Sequence, residues 1–184
     1  MFVLVQGCGL FDTRDVETPT GPRSNFIPPT SPSIVIDNFI SAISQKDINN
    51  YSNCLSDTSN SGRRFVFIPD VQSQSNYPVF NSWDRNKETG YFTNLVNQTS
   101  LESPSNLFLS NVTSTLSNDS AVYNADYLFL FTHNRTNLTK TARGSLRFNI
   151  RVDGRNLWSI NSWSDFKSQA SDTTWSVVKA NFVN

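Results

Sequence analysis

The chain has 184 residues and carries 15 basic and 15 acidic side chains, a formal net charge of zero. That length suits one domain with a tail better than two domains, and neutrality leaves neither the footprint of a nucleic-acid binder nor a polybasic patch for anionic lipid. One histidine and two cysteines exclude a zinc site built of Cys and His alone and a disulfide-rich scaffold; no metal or other cofactor is expected.

Polarity rests on hydroxyls and amides: serine, threonine and asparagine supply 64 residues, a composition that suits an extracytoplasmic protein. Fourteen Phe, five Tyr and four Trp are ample for a core, since each aromatic ring buries roughly 150–250 Å². No apolar run approaches the ~20 residues that cross a bilayer as a helix.

Met1-Phe2-Val3-Leu4-Val5-Gln6-Gly7-Cys8 is a short apolar run closed by a small residue and a cysteine. It resembles the end of a bacterial lipoprotein signal peptide, in which the cysteine behind the cleavage site is acylated. The resemblance implies a lipid anchor on Cys8 in the bacterial cell envelope, at roughly 0.8 kcal/mol per buried methylene. The basic leader segment and a full-length apolar core are absent from this stretch. Residues 9–32 carry Pro19, Pro22, Pro28, Pro29 and Pro32 among Thr, Ser and Asp. Such a segment reads as a disordered spacer with an extended reach of roughly 75 Å. Residues 33–184 then form the single domain.

Ser31-Pro32 predicts a helix start, and Val35, Ile36, Phe39, Ile40 and Ile43 recur at helical spacing. Asp47 caps a second short helix with Ile48, Tyr51, Cys54 and Leu55 on one side, and Ser59-Asn60-Ser61-Gly62 ends it. Phe65-Val66-Phe67-Ile68 reads as a strand stopped by Pro69, and residues 70–81 as a polar loop. A third helix from Ser82 carries Trp83, Glu88, Tyr91, Phe92, Leu95 and Val96.

The second half changes period. Leu107–Leu116 and Ala121–Phe131 are strands separated by Ser117-Asn118-Asp119-Ser120, a turn-forming run. Leu146, Phe148, Ile150 and Val152 alternate with Ser145, Arg147, Asn149 and Arg151, a half-buried antiparallel strand. Asp153-Gly154 predicts a tight reversal. The chain returns through Leu157–Ile160 with a bulge at Asn161-Ser162 before Trp163, and a C-terminal helix carries Trp175, Val178 and Phe182 behind an Asp172 cap. Segregated helices and strands define an α+β domain, with a strongly bent antiparallel sheet wrapped around the first helix.

These segments resemble a known family. Ser44-Gln45-Lys46-Asp47-Ile48-Asn49-Asn50-Tyr51, Cys54-Leu55-Ser56-Asp57 and Phe65-Val66-Phe67 are similar to the opening of nuclear transport factor two-like (SnoaL-like) domains. Gly144–Phe148, Trp158-Ser159-Ile160 and Trp163-Ser164-Asp165 resemble their last two strands, and Thr174–Ala180 the tail of bacterial lipoproteins with that fold. The resemblance spans about residues 33–182. It implies a cone-shaped roll enclosing a cavity, a homodimer formed through the sheet, and either an isomerase- or hydrolase-type enzyme on a hydrophobic substrate or a binding domain.

Phe67, Trp83, Tyr127, Phe129, Phe148, Trp158 and Trp163 are the residues for a cone interior, as core packing or as the lining for a small apolar ligand. They offer little to move a proton. The catalytic candidates are Asp165, placed at the cavity rim with a surface cap or salt-bridge residue as its ordinary reading, Tyr127, and His133, read ordinarily as a solvated turn residue. Arg143, Arg147 and Arg151 form an outward ladder facing cross-strand partners such as Asp126 or an acidic protein. Cys54 reads as a small buried hydrophobe. The expected role is therefore a lipid-anchored domain that binds an apolar ligand or a protein partner in its cone without catalysis, with a SnoaL-like enzyme or a structural dimer subunit with a filled cone as alternatives.

Overall fold

Short-range capping and hydrophobic spacing set the helices of the computed structural model, which describes residues 25–183. Cys8 and the anchor and spacer readings of residues 1–24 lie outside the described residues. Helix α1 (Pro32–Gln45) starts with Pro32 in its first turn and buries Val35, Ile36, Phe39, Ala42 and Ile43. Ser31 precedes it without a side-chain cap bond, its hydroxyl meeting Ser33 instead. Helix α2 (Ile48–Asn53) is capped by Asp47, which accepts from the Asn50 N–H. Residues 25–31, read as the end of the spacer, already lie on the domain: Ile27 exchanges two hydrogen bonds with Asn38, and the Trp158 N–H donates to Pro29 O.

Five expectations are corrected, each by a polar group with a local partner. The predicted break at Ser59–Gly62 is a one-turn helix α3 (Thr58–Ser61) capped by Asp57 and closed by Gly62 at φ 67°. The predicted loop at 70–81 is helix α4 (Val71–Asn76) followed by a 3₁₀ turn (Pro78–Ser82); Asp70 accepts from the Gln72 and Ser73 N–H groups, and α4 buries only Ser73, so no apolar stripe announces it. The Asp153-Gly154 reversal is a five-residue connection in which Asp153 accepts from the Arg155 and Leu157 N–H groups and Asn156 takes the positive φ. Thr174, not Asp172, precedes the last helix; Asp172 instead ties the Ser168 and Gln169 N–H groups. Helix α5 (Arg85–Asn97) begins three residues later than predicted because Asp84 caps it.

Strands β1 (Val66–Ile68), β2 (Ser105–Leu116), β3 (Ser120–Phe131), β4 (Thr141–Val152) and β5 (Trp158–Phe166) form one sheet in the order β1-β5-β4-β3-β2. β2 to β5 are an antiparallel meander, and β1 joins β5 in parallel. The expected bulge is present: Asn149 pairs with Ser162 and Ile150 with Ile160, leaving Asn161 extra. Such a bulge increases local twist, and the sheet curls over α1 and over helix α6 (Trp175–Phe182). Phe39 of α1 touches Tyr51, Phe148, Trp163 and Trp175 with ring centroids 5.0–6.1 Å apart. The α+β cone-shaped roll of the sequence reading is the observed architecture.

One glycine is required by close approach. A Cβ at Gly144 would lie 2.3 Å from the Phe166 carbonyl oxygen and 3.0 Å from the Tyr127 hydroxyl. Gly144→Ala is expected to cost about 2–3 kcal/mol by forcing β4 from β5, whereas Gly90→Ala, with open space on α5, is expected to gain about 0.5–1 kcal/mol. Urea unfolding of both variants checks the pair of signs.

Candidate functional site

The cone's axis is occupied by side chains, and among the described residues its carboxylates, ammonium and phenols are all engaged, whereas Trp163 Nε1 is buried without a hydrogen-bond partner. Two helices with apolar stripes each place one charge on the stripe: Glu88 joins Tyr91, Phe92 and Leu95 on α5, and Lys179 joins Trp175, Val178 and Phe182 on α6. Lys179 Nζ donates to both Glu88 oxygens at 2.7 Å. The same carboxylate accepts from Tyr51 Oη at 2.6 Å and Trp83 Nε1 at 2.7 Å. The ammonium lies 3.4 Å from the Trp163 ring centroid and 3.5 Å from that of Phe67, with Tyr91 and Trp83 further out. Both charged side chains are 0% exposed. Burial pulls the lysine's pKa down to about 8 against the attraction of Glu88, and pushes the Tyr51 and Tyr91 phenols well up.

A second cluster anchors the start of α6. Asp165, at the end of β5, accepts from Tyr127 Oη at 2.7 Å through Oδ1, and from the Ser176 N–H at 2.7 Å and Ser176 Oγ at 2.5 Å through Oδ2. Tyr127 Oη in turn accepts from the Trp175 N–H. The strand thus supplies the helix cap that Thr174 does not, because the Thr174 hydroxyl donates to Asp70 at 2.6 Å. Burial raises the Asp165 pKa to about 6, against the lowering effect of the Ser176 and Tyr127 hydrogen bonds. Trp175 links the clusters: its Nε1 donates to Tyr91 Oη, and its ring stacks on Phe129 at 4.2 Å and meets Trp163 edge-on at 4.6 Å.

The sequence candidates fall in three places. Tyr127, Phe129, Phe148 and Trp163 are in the core. Phe67 and Trp83 are also buried but border a surface cleft of about 380 Å³ with Arg64 and Phe80. Trp158 lies half-buried in a different cleft of about 200 Å³. Asp165 is 1% exposed, which corrects the surface-cap reading. His133 is 2% exposed, which corrects the solvated-turn reading: Nε2–H donates to Thr139 O and the ring packs edge-on to Phe182. In the outward ladder, Arg147 donates to Asn124 and Arg151 pairs with Asp119, while Asp126 accepts from Asn111 rather than from an arginine. Cys54 is buried as expected, and burial raises its thiol pKa. Glu88, Lys179, Tyr51 and Trp175 carry the interior network and were not singled out; a lone charge of opposite sign on each of two apolar helix stripes was the available signal.

As a machine for proton transfer this interior is closed. A general base must reach the proton that it abstracts, and both Asp165 oxygens face Tyr127 and α6. Lys179, for all its lowered pKa, is enclosed by four rings and a carboxylate. Among the described residues no three His, Cys, Asp or Glu side chains are grouped to hold a metal ion.

No family model and no curated protein matches the chain; solved structures do. A nuclear transport factor 2 (NTF2-like) superfamily protein from Salmonella enterica serovar Typhimurium superposes with a TM-score of 0.54 at 13% identity, covering 74% of this chain and 88% of its own. A proposed dehydratase of the NTF2-like family from Streptomyces avermitilis gives 0.54 at 12%, covering 75% and 94%. A ketosteroid isomerase-like protein from Erwinia carotovora atroseptica gives 0.51 at 11%, covering 74% and 93%. At these identities the likeness is one of fold: the domain has the NTF2-like cone.

Two outcomes test the interior. Lys179→Met is expected to cost about 3–5 kcal/mol by leaving Glu88 buried without its cation, and adding Glu88→Gln to recover about 2–3 kcal/mol of it, read as a double-mutant cycle. For Asp165, the folded state keeps a proton between pH 3.8 and about 6 that the unfolded chain has released. The group therefore favours folding below that window, and its contribution is lost as pH rises through 6. The stability of wild type minus that of Asp165→Asn is expected to fall by about 3 kcal/mol from about pH 3 to about pH 7, and a rising difference would contradict burial as the dominant cause.

Proposed function

We propose that this is a non-catalytic binding domain with a filled cone, held at the bacterial cell envelope by a lipid on Cys8, and that it recognises its ligand on the outer surface. The observation that carries the reading is the seating of α6: its Lys179, Ser176 and Trp175 use the interior carboxylates and phenols that an NTF2-like enzyme would direct at substrate. The expected binding of an apolar ligand thereby moves out of the cone. The anchor rests on Gly7-Cys8 behind an apolar run and on the proline-rich stretch that follows. Such a spacer lifts a domain off the membrane while leaving its surface free.

One observation favours a second reading. Tyr127 and Asp165 form a buried phenol–carboxyl pair with a raised carboxyl pKa, a pairing suited to acid–base chemistry. It requires α6 to leave the cone before substrate can enter.

The test separates these readings. Titrated with 8-anilinonaphthalene-1-sulfonate, the native chain is expected to give no saturable fluorescence rise, because Trp175, Trp163 and Phe129 pack on one another along the cone's axis; a stoichiometric rise that Lys179→Met strengthens would overturn the closed cone and favour the enzyme. Produced behind a complete lipoprotein leader, the chain is expected to fractionate with membranes, and Cys8→Ser to release it.

A further inference from the structure

The chain has four tryptophans, and three of them, Trp83, Trp163 and Trp175, are packed in the core. Trp158 is different. It opens β5 beside the connection 153–157, and its backbone N–H is fixed on Pro29. Among the described residues no ring packs against its indole and its Nε1–H has no partner. It lines the cleft of about 200 Å³ with Asn53, Asp57, Asn60, Arg85, Asp153 and Arg155.

The cleft's charges cancel within it. Arg85 pairs with Asp57 at 3.2 Å and Arg155 with Asp153 at 2.7 Å, so neither an anion nor a cation finds an uncompensated partner. What is left over is neutral hydrogen-bonding capacity. The Asn53 and Asn60 side-chain amides have no partner among the described residues, and Arg85 Nε is buried without an acceptor although its Nη2 reaches Ser52 O. The frame is rigid: Asp57 caps α3 through the Ser59 N–H, and Asp153 holds two N–H groups of its own connection. An aromatic ring beside exposed planar amides and held carboxylate and guanidinium groups, with no net charge, matches a ligand that has an apolar face and a rim of hydroxyls. The volume is small for a lipid chain and suits a single ring, and Asp57 and Arg85 also line an adjoining cleft of about 540 Å³, where a chain can continue.

We propose that this cleft is a saccharide-binding site, with one sugar ring stacked on Trp158 and its hydroxyls read by Asn53, Asn60 and the two Asp–Arg pairs. The assignment rests on the reading of the domain as one that binds on its outer surface, and names the ligand class for that surface.

The full chain is titrated with glucose, N-acetylglucosamine and their β-linked trimers, with binding read by two-dimensional NMR and calorimetry. Saturable binding is expected, roughly tenfold tighter for a trimer than for its monomer. Trp158→Ala is expected to weaken it by at least about tenfold, and Asn60→Ala, at an exposed position that leaves folding intact, by about threefold. No binding of any of the four sugars at about 10 mM, or binding that both variants leave unchanged, overturns the proposal, as does preferential binding of inorganic phosphate or tetramethylammonium in the same cleft. If the sugars fail while the fluorescent probe is still excluded, the saccharide assignment falls and the closed cone stands. If the probe enters while Trp158 still governs sugar binding, the closed cone falls and the saccharide site stands.

Discussion

The buried pair of Glu88 and Lys179 decides how the rest of the chain packs. An ammonium and a carboxylate removed from water are tolerated only when each is matched at close range. Here the match needs four elements at once: α5 brings the carboxylate, α6 the ammonium, α2 the Tyr51 hydroxyl, and the segment before α5 the Trp83 indole N–H. Phe67 of β1 and Trp163 of β5 then close over the cation. A small slide of α6 in either direction would strand a charge in the core, so the helix has one position. An apolar helix of the same shape would be less demanding of register, because hydrophobic packing alone is non-directional.

That constraint separates this domain from a pocketed version of the same cone. A cavity enzyme keeps titratable groups pointed at open space, where burial tunes their pKa values and substrate supplies their partners. In this chain the partners are internal. Asp165 caps α6, Tyr127 relays between strand and helix, and Trp175 fills the axis between Phe129 and Trp163. The raised pKa of Asp165 is then a consequence of burial inside a structural joint. On the outside, Trp158 lies half-buried in a cleft whose two Asp–Arg pairs already neutralise each other.

Much of the scaffold was legible in the sequence because its signals are local. The alternation of Leu146, Phe148, Ile150 and Val152 marks β4, the spacing of Val35, Phe39 and Ile43 marks α1, and Asp47 caps α2 where its side chain predicts. The bulge at Asn161 could be read from two polar residues interrupting an apolar strand. Helix α4 and the 3₁₀ turn were missed because they lie on the surface and show no apolar stripe. Asp165 and His133 were misplaced because what buries them is distant in the chain or contributed by another element: Ser176 and Tyr127 for the first, Phe182 of α6 for the second.

The sequence by itself determined the α+β class, the meander of long strands and the helix that the sheet wraps, since periodicity and capping act over a few residues; the likeness to an NTF2-like cone came separately, from the order of motifs such as Cys54–Asp57 and Trp163–Asp165. Only the tertiary structure decided whether that cone is open or filled. The answer depends on where the last eight-residue helix docks, and that is set by Glu88, 91 positions from its lysine partner. No short-range pattern carries the information that two opposite charges so far apart along the chain share one aromatic box, because it is the folded sheet that brings them within hydrogen-bonding distance.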